Sequence, residues 1–518
     1  MTDVLDELAS VRERELTPFN VHHPPFSIPD EATEEDVANA QKQLKVMVPR
    51  WLKVTVSKKI KKDPNTSQVT NTLSVSASVN ELEYLDDFKQ HTRLEVFPAL
   101  QGGAIYQPDK GTWRVFAKGE LATTVNSRVT RELISWGVYK ANTVSAIYLL
   151  ILRTSFNEAY GRSSPFDENS HPELVAFNNG TYDILTNTMQ ANSADNYMMS
   201  SHDYDVDSTN NDAPEWDKLL NAVFGDGAIT IKEFIGYTFY RSYAPFQEML
   251  WLYGPGGEGK STILGYIQRY VIGQGNYSSV KPDALADSSR RFETANLYGK
   301  DANIMADVGN GYLKTTDILK SLTGGDSISA EFKGLQNFTF INHAKLIFST
   351  NELPAFSDHT SGFADRILVV KTINGDTRKN REWWNQFNTA LIKKQAPAFA
   401  MNCMQLFNKA LKRSALSRPQ SVIDASQEWL KANDHLKEFL DECATIDLTD
   451  NKGESTTIFR NDYSKWCGEN GYLDKTTSQT IAKRLAAMGI KKVRSTNGYS
   501  DGDRVPRYIG VHLATEHG

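Results

Sequence analysis

The amino-acid sequence predicts an α/β chain of several domains. Its 518 residues exceed what one hydrophobic core organises, about 250–300 residues. A glycine-rich loop, residues 254–259, lies between an apolar run and a helix-forming stretch, the order of a phosphate-binding strand–loop–helix unit. Two later apolar runs end in a carboxylate, Asp307, and in an amide, Asn351, as strands of the same core would present them.

Composition narrows the class. Hydrophobic residues make up 40% and charged residues 23%, ordinary for a soluble globular protein. The net charge of −6 supplies no overall attraction for nucleic acid, so such a partner has to be argued from local patches. Cys403, Cys443 and Cys467 are far apart and lack C-x-x-C spacing, which points away from zinc and disulfides and toward a reducing cytosol. The acidic start of the chain has no apolar stretch of a signal peptide, and the most apolar run, residues 144–152, is too short to span a membrane. A cytoplasmic location without membrane contact is the expectation.

Along the chain, residues 1–95 form an accessory region of unknown role. They hold a polar helix near residues 34–43 and a basic cluster, Lys58-Lys-Ile-Lys-Lys62, before the Asp63-Pro64 turn. Residues 96–225 read as an α+β domain. A hairpin spans residues 103–116 with Pro108-Asp-Lys-Gly111 at its turn, a helix spans 129–157, and a second hairpin turns at Asn179-Gly180. The alternating carboxylates Asp203, Asp205 and Asp207 could line a metal-binding strand face or simply a polar one.

Residues 226–375 hold the chemistry. In Gly254-Pro255-Gly256-Gly257-Glu258-Gly259-Lys260-Ser261-Thr262 the glycines let backbone N–H groups curl around phosphates. Lys260 is placed to reach the β and γ phosphates of ATP, and Ser261 to ligate Mg²⁺. Asp307 ends a strand where a carboxylate would hold that Mg²⁺ and orient water, and Asn351 ends another beside the γ-phosphate. Between them, residues 328–332 and 337–341 read as paired strands with Lys333-Gly334 at the tip, where a lysine offers a mobile phosphate contact. Arg366, in Gly362-Phe-Ala-Asp-Arg366, precedes a further apolar strand and stands where it could reach a neighbouring subunit's γ-phosphate.

Taken in order, these segments, with Leu322-Thr-Gly-Gly-Asp-Ser-Ile-Ser-Ala-Glu-Phe-Lys333 and Lys345-Leu-Ile-Phe-Ser-Thr-Asn-Glu-Leu-Pro354, closely resemble superfamily 3 helicases. The likeness is to the helicase half of phage and plasmid primase–helicases and their poxvirus relatives, and it covers roughly residues 100–518. It implies an AAA+-type core and a helicase-associated region ahead of it. It also implies Walker A roles for Lys260 and Ser261, a Walker B role for Asp307, a sensor role for Asn351, an arginine finger at Arg366 and a DNA-tracking tip at Lys333. Asp307 is followed by Val308 and Gly309 where relatives often carry a second acidic residue, and Asp365 stands where many carry a first arginine.

Residues 376–430 read as a helical connector and 431–518 as a winged helix. Helices near 459–467 and 477–489 precede the basic Lys491-Lys-Val-Arg494, a Gly-rich turn and a strand through 507–511. From Ser455 onward ten basic and six acidic residues leave a local charge of 10 − 6 = +4. Lys483, Arg484, Lys491, Lys492 and Arg494 are therefore candidate DNA contacts beside Lys333. The resulting expectation is a homo-hexameric, ATP-driven replicative helicase, translocating 3′ to 5′ on single-stranded and forked DNA. An origin-binding initiator acting on duplex DNA, or a phosphotransferase, are the alternatives. No primase module is recognisable in residues 1–95, which makes a separate primase or other replication proteins expected partners.

Overall fold

The computed structural model describes residues 16–29, 31–62, 69–97, 102–116, 118–160, 165–168, 171–287, 291–309, 312–313, 316–331, 337–356, 361–377, 380–472, 476–494 and 505–514. The chain divides into two compact units, residues 1–170 with 192–199, and residues 171–191 with 200–518.

The first unit crosses the boundary expected near residue 95. One core joins Val21, Trp51, Tyr84 and Phe88 to Phe116, Val129, Leu133, Ile147 and Ile151. The helix Glu81–His91 buries only Tyr84, Leu85 and Phe88, so it needs the later helices to cover that face. The basic cluster lies on the strand Leu52–Lys62, which pairs antiparallel with Val69–Val79 over its full length. The helix expected over 129–157 is two, Lys118–Ser135 and Ala141–Thr154. Gly137, at φ +73°, breaks it, because a left-handed residue cannot continue a right-handed helix. The hairpin of Gly102–Gln107 with Thr112–Phe116 forms as expected. Its Trp113 is buried and donates through Nε1 to the Ala194 carbonyl at 2.7 Å, which ties the 192–199 segment into this unit.

The second unit is built on a five-stranded parallel sheet. Its spatial order is Tyr277–Ser278, Ala302–Val308, Lys345–Thr350, Met249–Tyr253, Ile367–Lys371, so the first strand in the chain lies between the fourth and fifth. The strands Met249–Tyr253, Lys345–Thr350 and Ile367–Lys371 are almost wholly buried and mostly apolar on both faces, as a parallel sheet covered on both sides requires.

Helices from both ends of the unit cover this sheet, and the boundaries expected at 225/226 and 375/376 therefore fall inside one core. Trp216, on the helix Pro214–Phe224, is buried, stacks on Phe399 at 4.2 Å and donates to the Ile392 carbonyl at 2.8 Å. The supposed connector supplies the helix Ala396–Arg413, which buries ten residues, eight of them in the same cluster. On the other face Ala425 and Trp429, of the helix Gln420–Ala432, pack with Trp251 and Phe348. At the start of its strand Lys345 is fully buried. Its Nζ donates to the carbonyls of Tyr240 and His343, each at 2.7 Å, and lies over the rings of Tyr237 and Tyr243. Burial pushes its amine well below the usual lysine range.

The tail has its own small core of Leu436, Phe439, Phe459, Trp466, Leu485 and Tyr508. Helices His435–Cys443, Thr456–Glu469 and Ser478–Ala487 pack with a three-stranded antiparallel sheet in the order Gly453–Ser455, Pro506–Ile509, Lys491–Arg494. No helix among the described residues is long and apolar enough to cross a membrane.

The close approach of two helices yields a stability test. A methyl group on Gly236, in the helix Ala228–Thr238, would stand 2.0 Å from the Cys403 carbonyl oxygen. Gly236→Ala should gain about 1 kcal/mol of helix propensity yet lose more, because overpacking costs about 1–3 kcal/mol and the obstacle here is backbone. Urea unfolding should show a lower midpoint; an unchanged or higher one would mean the two helices do not meet there.

Candidate functional site

The site is assembled at the carboxyl ends of the parallel strands, where α/β sheets place their ligands. Residues 254–259 leave the central strand Met249–Tyr253 and enter the helix Lys260–Tyr266, which runs on into a π-helical stretch, Ile267–Ile272. Gly256, Gly257 and Gly259 have φ of +110°, +92° and +105°, a region that side-chain-bearing residues rarely occupy. The glycines are needed for space as well. A Cβ on Gly254 would lie 2.2 Å from Thr372 Oγ1, and one on Gly259 would lie 2.7 Å from the Trp384 ring.

Inside this loop Lys260 is only 4% exposed. Its Nζ donates to the Gly254 carbonyl and to Glu258 Oε2, both at 2.8 Å, and to Asn351 Oδ1 at 3.3 Å. Glu258 is fully buried, and its Oε1 accepts from the Gly256 N–H at 2.7 Å. Burial alone would raise the Glu258 carboxyl. The hydrogen bonds from Lys260 and from backbone N–H groups, with the Lys260 charge, outweigh it and hold the carboxyl below its ordinary range. A carboxylate is thus already bound by an ammonium on one oxygen and a backbone N–H on the other, the kinds of donor a phosphate group would use.

Three further sequence-predicted residues gather here. Ser261 Oγ donates to the Ala306 carbonyl at 3.1 Å, immediately before Asp307. Asp307 is exposed and sits where the pairing of Ala302–Val308 with Lys345–Thr350 shifts register. Asn351 follows Thr350 directly and faces the loop, so that a Cβ on Gly256 would come within 3.2 Å of its Nδ2. Pro255 and Thr262 complete the loop and the first helical turn.

Arg366 is not among them. It lies at the opposite end of the sheet, where its carbonyl accepts from Met249 N at 2.7 Å. Its Nε donates to Thr323 Oγ1 at 2.9 Å and its Nη1 to the Gly362 carbonyl, so both partners are in the same chain and neither is Asp365. Lys333 falls outside the described residues, although the strands leading to it, Ser327–Ala330 and Phe338–Ile341, pair antiparallel. In the tail, Lys483 and the strand residues Lys491, Lys492 and Arg494 are exposed, whereas Arg484 is tied to Asp434 within the domain. Asp207, of the alternating carboxylates, caps the backbone N–H of Thr209 at 2.8 Å.

Sequence reasoning missed the segment that holds the loop from behind. Thr377 donates to the Gly257 carbonyl through both N and Oγ1 at 2.9 Å, and Asn374 Nδ2 donates to the Glu258 carbonyl at 2.9 Å. Trp384 Nε1 donates to the Thr377 carbonyl at 3.1 Å. Thr372 Oγ1, buried beside Gly254 and Glu258, has no hydrogen-bond partner among the described residues. The adjacent tryptophans Trp383 and Trp384 were the one signal in that stretch.

Two family models match the chain. Residues 101–225 match the D5 N terminal like family, and residues 252–366 match a family of unknown function, DUF5906. The second match contains Gly254 to Arg366 and every site residue between them. Among solved structures the chain is similar to the A-form apo structure of the NrS-1 C-terminal region, at 14% identity, covering 82% of this chain and 98% of that one with a TM-score of 0.41. A second such structure, of residues 305–718, shares 14% identity over 79% and 87% with a TM-score of 0.43. Overlaps this loose transfer no residue roles from one chain to the other.

Proposed function

We propose that this chain is an ATP-dependent, ring-forming replicative DNA helicase of a phage, plasmid or satellite element, translocating 3′ to 5′. One observation carries the reading: a buried lysine inside a glycine loop, at the end of an interior parallel strand, bonded to Asn351 from the next strand, with Ser261 bonded to the backbone beside Asp307. The match of residues 101–225 to the D5 N terminal like family supports a primase–helicase setting.

In this reading Lys260 exchanges the Glu258 carboxylate for the β and γ phosphates of ATP, and the N–H groups of the loop hold the remaining phosphate oxygens. Asn351 orients the attacking water. The Ser261 hydroxyl, bonded to the Ala306 carbonyl, and the carboxylate of the next residue, Asp307, are oxygen donors of the kind Mg²⁺ prefers and would hold it. When bound, Mg²⁺ would neutralise charge on the transferring phosphoryl group. Arg366 is separated from its own loop by the five-residue strand Met249–Tyr253, about 16 Å at 3.3 Å per residue, so it could serve only a neighbouring copy. To do so it must release Thr323 and Gly362. The hairpin bearing Lys333 would escort one DNA strand.

A second reading, an origin-binding initiator, is favoured by the exposed basic strand Lys491–Arg494. Processive displacement from a forked duplex separates the two.

Lys260→Ala should retain its circular dichroism spectrum and lose ATP turnover by at least about 10²-fold, the usual effect of deleting one donor to developing charge. Near-normal turnover in the folded variant would refute the phosphate-loop assignment. The triple variant Lys491→Ala, Lys492→Ala, Arg494→Ala should bind duplex DNA with a flatter salt dependence, by about 0.9 in slope for each phosphate that is no longer neutralised. An unchanged slope of log affinity against log salt would remove this strand from the DNA interface.

A further inference from the structure

Beside the phosphate loop lies a cavity of about 590 Å³ whose chemistry differs from that of the loop. Its walls include the aromatic side chains of Tyr266, Trp384 and Phe387, together with Leu219 and Ile392. The amide oxygen of Asn388 at its rim is already engaged, accepting from the backbone N–H groups of Ala390 and Leu391 at 3.0 and 3.2 Å. Asn385 and Thr389 also line it, so the cavity offers aromatic faces for stacking and polar side chains for the edge of a ring.

Two connections join it to the loop. Trp384 touches Gly259, the last residue before Lys260, and its Nε1 is fixed through Thr377 to the Gly257 carbonyl. Tyr266 stands on the helix that Lys260 begins, six residues on and so about 9 Å along the axis at 1.5 Å per residue. Both rings are held in place. Tyr266 stacks on Tyr270 with centroids 5.8 Å apart and meets Trp216 edge-on at 6.5 Å, while Trp384 meets Trp383 edge-on at 4.8 Å. An aromatic cleft that starts at the phosphate loop and extends along its helix has the layout needed by a molecule with a polyphosphate at one end and a planar heteroaromatic ring at the other.

We propose that this cavity binds the nucleobase of the triphosphate held at Lys260, with Trp384 and Tyr266 as the stacking surfaces. The inference rests on the phosphate-loop reading and extends it to residues that neither the loop nor its strands contain. Stacking on an aromatic side chain tolerates any base, since every base presents a π-face.

The test compares two probes on the full chain in the presence of Mg²⁺, ATP and inorganic tripolyphosphate, which lacks a base. Binding is measured by titration calorimetry for the wild type, Trp384→Ala, Trp384→Phe and Tyr266→Ala. The wild type should bind ATP more tightly than tripolyphosphate. Trp384→Ala and Tyr266→Ala should weaken ATP by about 10- to 100-fold, the equivalent of one stacked base, and Trp384→Phe should keep most of the ATP affinity. Tripolyphosphate affinity should stay unchanged in Tyr266→Ala, whose ring contacts are with Tyr270 and Trp216, which separates base stacking from damage to the loop by Trp384→Ala. A wild type that binds both probes equally well overturns the base site and leaves the phosphate-loop reading standing. Parallel losses of both probes in Tyr266→Ala also overturn it. A wild type that binds neither probe overturns both.

Discussion

The pairing of Lys260 with Glu258 inside the glycine loop is the interaction around which the core is arranged. An ammonium and a carboxylate buried together are tolerable only when their remaining polar contacts are completed. Here the Gly254 carbonyl and the Asn351 amide complete the lysine, and the Gly256 N–H completes the glutamate. Each of these groups comes from a strand end or from the turn that follows one. The pair therefore ties the loop to the fourth strand of the sheet, and Thr377 and Asn374 tie the same loop to the segment after the fifth. A ligand that takes over Lys260 would disturb all of these contacts at once. Under the proposed function, this would give nucleotide state a physical route to the strands and to what they carry.

The strand order makes this convergence possible. Because the first strand lies between the fourth and the fifth, the loop is flanked by Asn351 on one side and Thr372 on the other, and Asp307 stands one strand further out. Arg366 immediately precedes the fifth strand, so it is directed to the far end of the sheet by the same geometry that brings Thr372 to the loop. Helices on both faces seal the sheet. On one face the near-contact of Gly236 with the Cys403 carbonyl and the stacking of Trp216 on Phe399 show how closely neighbouring helices are fitted.

What was legible in the sequence is what local chemistry encodes. The loop could be read because glycine spacing, a lysine and a serine between a strand and a helix leave little choice of conformation. The strands ending at Asp307 and Asn351 could be read as apolar runs with a polar end. The domain boundaries could not, because they depend on partners far away in the chain: Trp216 meets Phe399 across more than 180 residues, and Val21 shares a core with Ile151. The break at Gly137 was visible as a glycine, but only its positive φ shows that it ends a helix. Thr377 and Trp384 carry no motif, and their role exists only because the chain after the fifth strand folds back over the loop. The pairing of Arg484 with Asp434 was equally hidden, since a basic residue on a helix reads the same whether it faces solvent or a capping carboxylate.

The central claim is that the loop turns over ATP in order to move DNA. The most direct measurement is the steady-state ATP hydrolysis rate of the full chain with Mg²⁺, taken with and without single-stranded DNA. Mg²⁺-dependent turnover that rises when single-stranded DNA is added is the predicted result. Turnover indifferent to DNA, or none at all from folded protein that binds ATP, would contradict the account.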